Sequence, residues 1–126
     1  MRFMMLMIPQ GYEAAAPGTM PPAEAVAAMM KYNEALKEAG VLVTLDGLHP
    51  PSMGARVSFG GGKPVVTDGP FTEAKEVIGG WAILAASSKA EAVRIATEFM
   101  ELHRQHWPEF EGECEVRPMF EPGQGP

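Results

Sequence analysis

Apolar residues occupy both alternating faces of the stretch from Arg2 to Ile8. Phe3, Met5 and Met7 fall on one side, and Met4, Leu6 and Ile8 on the other. A strand with one face in water alternates polar with apolar positions, so this pattern predicts a central strand covered on both faces. Val77 to Ala86 repeats the pattern, with Ile78, Gly80, Ala82, Leu84 and Ala86 on one face and Val77, Gly79, Trp81, Ile83 and Ala85 on the other. Gly79 and Gly80 inside that run predict a bulge or a close backbone approach, because interior glycines otherwise weaken a strand. The period changes between these two runs. Ala25, Met29, Tyr32, Leu36 and Ala39 recur at helical spacing, widened by Val26, Met30 and Asn33, with Pro21, Pro22 and Glu24 at the start and Lys37 and Gly40 at the end. Asn33 lies at the edge of the apolar stripe, where a buried amide needs a partner, supplied either by a capping or core hydrogen bond or by a ligand. A second helix opens on the capping box Ser88 and Glu91 and carries Ala92, Ala96, Phe99, Met100 and His103 on its apolar face.

The remaining segments are shorter. Val41 to Asp46 reads as a strand that runs into a stiff loop, Gly47 to Gly54, containing His49 and the pair Pro50 and Pro51. Arg56 to Phe59 and Lys63 to Thr67 form a hairpin about Gly60, Gly61 and Gly62. No Gly-Lys-Ser/Thr ending follows those glycines, so they are not read as a phosphate loop. Pro9 to Pro21 is a loop long enough to line a site. Cys114 and Val116 mark a last strand, and residues 119–126 form a tail behind a single domain of residues 1–118. This order predicts an α+β ferredoxin-like sandwich, with two helices on one face of an antiparallel sheet plus an inserted β-hairpin. Two helices cover only one face of a sheet whose central strands are apolar on both. The second face is therefore expected to meet a second copy, giving a homodimer that associates through the sheet.

Composition narrows the class. With 126 residues, 46% hydrophobic and 21% charged, the chain can hold one core without staples. A net charge of −6 with no basic cluster argues against direct nucleic-acid binding. Cys114 is the only cysteine, so no intramolecular disulfide forms, and a reducing cytoplasmic setting is expected. Phe3 to Ile8 superficially resembles a signal-peptide core, yet six residues fall short of the roughly 7 to 15 such a core needs and the roughly 20 of a membrane helix. No membrane association is expected.

Candidate chemistry centres on Val66 to Glu76. Pro70 restricts Gly69 to extended backbone, and Asp68 stands just ahead of a helical turn expected to begin at Pro70. Asp68 either caps that turn or serves catalysis or binding. Arg56 is placed to pair with Asp68 or to hold an anion, and Phe71 and Trp81 are candidates for stacking on a planar ligand as well as for the core. His49, if paired with Asp68, would be held in one tautomer as an acid or base. His103 and His106 lie three apart near a helix end, with Glu101 and Glu109 nearby. That spacing suits a metal, but histidines also complement a helix C-terminus, and no metal is assigned. Cys114 reads as a buried inert thiol.

Val66 to Glu76, followed by Ile78-Gly79-Gly80-Trp81, closely resembles the signature of the DGPF-domain branch of the YCII-related family. The resemblance extends through Arg2 to Ile8, Gly40 to Gly47, Ala55-Arg56-Val57, Gly62-Lys63 and Glu115 to Pro118. It implies a dimer of the dimeric α/β barrel type. Members of the family are mostly uncharacterised; some are associated with or fused to extracytoplasmic-function sigma factors, and others are proposed enzymes because of a His–Asp pair in a pocket. Those members carry the histidine on the first helix, where this chain has none between Pro21 and Gly40. The expectation is a small-molecule enzyme or binding protein with a dimer-interface pocket. Asp68 would be its proton acceptor or polar anchor, His49 its acid or base, and Arg56, Phe71 and Trp81 its substrate contacts, with no cofactor. The alternative is a regulatory interaction module that works with a sigma factor or another protein partner.

Overall fold

The doubly apolar run at the N-terminus is the central strand β1 (Arg2–Pro9), paired antiparallel with β5 (Gly80–Ala85) on one side and β6 (Gly112–Pro118) on the other. The edge strand β2 (Leu42–Gly47) pairs antiparallel with β5, so the sheet order is β2-β5-β1-β6. Helix α1 (Ala23–Glu38) leads from β1 to β2, and α2 (Lys89–His106) from β5 to β6. Between β2 and β5, β3 (Ala55–Gly60) and β4 (Lys63–Asp68) form a separate two-stranded sheet. This is the ferredoxin-like βαββαβ order with an inserted hairpin. The structure is a computed structural model, and it describes residues 1–71 and 76–124.

Cross-strand register sorts the side chains. Phe3 faces Leu84 and Met5 faces Ala82, and these residues form the core with Ala92, Ile95, Ala96 and Phe99 of α2. Met29, Tyr32 and Leu36 of α1 pack against the same cluster, so both helices lie on one face of the sheet. Tyr32 also donates its hydroxyl hydrogen to Glu98 Oε2 at 2.9 Å, which ties α1 to α2. Met4 opposite Ile83 and Leu6 opposite Trp81 lie on the other face, half-buried within the chain itself. Exposed Glu113, Glu115 and Arg117 of β6 stand opposite Ile8, Leu6 and Met4 on that face, giving it an apolar centre and a charged border.

Local chemistry explains where the elements stop. Ser88 Oγ accepts the Glu91 backbone N–H at 3.1 Å, as the capping box predicts, while the Glu91 carboxylate reaches back to the Ser87 N–H at 3.0 Å rather than to that of Ser88. At the end of α1, Gly40 takes a φ of +76°, so that its N–H donates to the Lys37 carbonyl and that of Val41 to the Leu36 carbonyl. These two bonds satisfy carbonyls the helix leaves orphaned. Gly61 and Gly62, at φ +74° and +112°, make the tight hairpin turn between β3 and β4.

Two expectations are corrected. The alternation in β2 places Leu42 and Leu45 on opposite faces, but the register slips between Leu42 and Thr44. Leu42 then faces Leu84 and Leu45 faces Ala82, on the helix side, while Val43 is left out of the pairing. One extra residue in a strand reverses the faces beyond it. The second central strand begins at Gly80 rather than Val77, and Ile78 is exposed. Gly79 still donates to the Met7 carbonyl at 2.8 Å and accepts from the Leu48 N–H at 2.9 Å. The expected close approach is present there: a Cβ on Gly79 would stand 2.9 Å from Pro9 Cγ.

Leu84 is fully buried at the centre of this core. Leu84→Ala is expected to cost about 2 to 5 kcal/mol, against about 1 kcal/mol for loss of the cap in Ser88→Ala, as read from denaturant-unfolding midpoints.

Candidate functional site

The core is full at one end of the β1/β5 pair and hollow at the other. Phe3 and Leu84 fill the first end, whereas Met7 faces Gly80, which has no side chain, and Met5 faces Ala82. A cavity of about 490 Å³ opens there, lined by these residues, by one side of α1, by Phe99 and His103 of α2, and by Trp107 and Phe110 just beyond it. The loops after β1 and β2 close its mouth with Tyr12, Met20, Leu48 and His49. Five of the lining side chains are methionines, Met5, Met7, Met20, Met29 and Met30, whose flexible thioethers adapt readily to a ligand's shape. Among the described residues, no Lys or Arg lines the cavity.

The polar groups at this surface differ in what they are free to do. Tyr12 donates its hydroxyl hydrogen to the Leu48 carbonyl at 2.6 Å, and Leu48 N–H bonds to Gly79, so both backbone groups of Leu48 are held. Pro50 is fully buried. His49 is thus presented from a loop anchored on either side of it, with its ring exposed at the mouth. The Asn33 amide is half-buried in the wall and makes no hydrogen bond among the described residues, so the core or capping partner considered for it is not supplied.

His103 is only 4% exposed. Its Nδ1 lies 2.9 Å from the Phe99 carbonyl, which can only accept, so Nδ1 carries the proton. Phe99 packs edge-on against the ring at 4.8 Å, and Phe110 lies at 4.5 Å between centroids. Nε2 has no partner among the described residues, and the residue lines the cavity. Sequence reasoning assigned this histidine to the helix dipole. The same reasoning placed His103 on the apolar stripe of α2, and it is that position, rather than the helix end, that governs the ring's surroundings.

His106 instead meets Glu24 of α1 at 3.2 Å. Among the described residues, no group of three His, Cys, Asp or Glu side chains is placed to hold a metal ion. Burial pushes the Cys114 thiol up to about 11, so it stays protonated at neutral pH.

The residues singled out from sequence fall into two groups. His49 and Trp81 border the cavity. Arg56, Asp68 and Phe71 stand at the base of the hairpin, where the Arg56 guanidinium lies 4.0 Å over the Phe71 ring instead of pairing with Asp68. Asp68 closes β4 opposite Ala55 and is exposed. The next residue, Gly69, donates its N–H to the Gly54 carbonyl at 2.9 Å, and a Cβ there would overlap the Pro51 carbonyl oxygen. Only glycine allows this approach, which joins the strand carrying Asp68 to the proline loop that follows His49. The backbones that carry His49 and Asp68 are thus drawn together, and among the described residues no hydrogen bond or ion pair links the two side chains. The helical turn expected from Pro70 falls largely on residues 72–75, outside the described residues.

Burial holds the His103 imidazole below its ordinary 6.5, partly offset by the Phe99 carbonyl. The unfolded chain therefore binds this proton first as pH falls, and the stability held above about pH 6.5 is lost below it. His103→Phe is expected to flatten the decline of the urea midpoint between about pH 7 and 5; an unchanged slope would contradict the assignment.

No curated protein is significantly similar to the chain in sequence. The YCII-related domain matches residues 1–102, which run from β1 through most of α2 and include the hairpin and most of the cavity wall. The chain belongs to the YCII-related domain family.

Proposed function

We propose that the chain is a small-molecule binding protein or enzyme of the DGPF branch of its family, acting as a homodimer. The observation that carries this reading is the cavity of about 490 Å³, mostly apolar, with Asn33, His49 and His103 Nε2 offering polar groups that have no partner among the described residues. Ligand sites generally have this size and this economy of polar groups. His49 is the candidate acid or base at the mouth. Asp68 is the candidate proton acceptor or anchor, with Arg56 and Phe71 at the same hairpin base as candidate substrate contacts and Trp81 a third at the cavity.

The dimer rests on the sheet's second face. Met4, Leu6, Ile8, Trp81 and Ile83 form an apolar centre, and Glu113, Glu115 and Arg117 border it, the usual anatomy of an interface. The hairpin offers a further exposed apolar surface, since Val57 faces Val66 and Phe59 faces Pro64, with Phe59 76% exposed and Val66 66%. The same exposed hairpin favours a second reading, an interaction module that docks another protein such as a sigma factor.

A thermal-shift screen of small metabolites tests the first reading. A ligand at about 100 times its Kd adds about 2.7 kcal/mol, several degrees in a domain this size. The expected hit is weakened in Asn33→Leu and Asp68→Asn, and sedimentation gives twice the chain mass of 13.5 kDa. A monomeric mass with no hit, together with a partner captured through Phe59 and Val66, would replace it with the interaction module.

A further inference from the structure

The cavity wall contains one deeply buried titratable ring, and its chemistry limits what the cavity can hold. With Nδ1–H committed to the Phe99 carbonyl, the neutral His103 ring has a bare lone pair at Nε2. Nε2 is unpartnered among the described residues and belongs to a residue of the cavity wall that is 96% buried, since only 4% of it is exposed. The surroundings are aromatic, with Phe99 at 4.8 Å, Phe110 at 4.5 Å and Trp107 stacked at 6.2 Å. An acceptor in such a place is best met by a hydroxyl or N–H hydrogen of a ligand. Charge narrows the class further. An anion finds no Lys or Arg among the described lining residues, and Asp46 at the cavity adds negative charge. Burial among the rings keeps the imidazole itself neutral near physiological pH.

We propose that the cavity takes a neutral, largely apolar ring compound bearing one hydroxyl group, and that His103 Nε2 accepts the hydrogen bond from that hydroxyl. This rests on the small-molecule reading above and adds to it the ligand class and the anchoring atom. Methionine and aromatic walls supply the apolar contact, and Nε2 fixes which end of the ligand points toward α2.

The probes are 2-naphthol and 2-methoxynaphthalene, similar in shape but with the donor hydrogen removed in the second. Calorimetry on the wild-type protein is expected to show 2-naphthol bound at least about tenfold more tightly, a difference of about 1.4 kcal/mol. In His103→Asn, which keeps an amide N–H near the Phe99 carbonyl and lacks the Nε2 acceptor, the two probes are expected to bind alike. A wild-type measurement makes the outcome independent of how the variant folds. In histidine-selective ¹⁵N spectra, the His103 Nε2 resonance is expected to move upfield with 2-naphthol and to stay in place with 2-methoxynaphthalene. Equal affinity of the two probes for the wild type, or a motionless Nε2 resonance in the 2-naphthol complex, would overturn the role of His103 while leaving the cavity as a ligand site. Failure of both probes to bind the wild type would remove the cavity reading and this inference together.

Discussion

Covering both faces of β1 is the constraint on which the rest of the molecule depends. A strand with Phe3, Met5 and Met7 on one side and Met4, Leu6 and Ile8 on the other cannot leave either side in water without exposing a large apolar surface. The helices meet that demand on one side, where Phe3, Leu84, Ile95 and Phe99 make the buried cluster. On the other side Met4, Leu6 and Ile8 remain half-buried behind a border of charged residues on β6. The proposed homodimer follows from this asymmetry.

The same sheet pairing produces the cavity. Side-chain volume falls along β5 from Leu84 through Ala82 to Gly80, so helices seated on the Leu84 end span open space at the other. Filling that end with larger residues would give a denser core and no site. Tight approaches then organise the mouth: Gly79 lies against Pro9 and Gly69 against Pro51, each at a distance that a side chain would prevent. Glycines in the sequence signature therefore act by bringing the loop that carries His49 against the strands. Pro50, the residue after His49, is fully buried in that loop.

Much of this was legible in the residue pattern. The doubly apolar run at the N-terminus, the helical stripe of α1, the capping box at Ser88 and the turn at Gly61 and Gly62 each depend on neighbours in sequence, and each lies where the pattern places it, whereas the second run begins three residues late, at Gly80. What the pattern missed depends on contacts between distant segments. The slip at Val43 is set by pairing with β5, and no local feature of the Val41–Asp46 alternation marks it. His103 reads locally both as an apolar-stripe position and as a helix-end cation, and the packing of Phe99, Trp107 and Phe110 around the ring decides for the buried neutral form. Arg56 reads as a partner for Asp68, but the fold supplies the Phe71 ring and the guanidinium stacks there.

The most direct test of the account uses the protein's own ten methionines as reporters. With ¹³C-methyl methionine in the wild-type protein, the strongest ligand from a metabolite screen is added and each methyl resonance is followed. The account predicts shifts and ligand contacts at Met5, Met7, Met29 and Met30, which line the cavity, and none at Met4, which lies on the opposite face of β1. Contacts at Met4 with the cavity methyls unmoved would place the ligand on the open face and contradict the account.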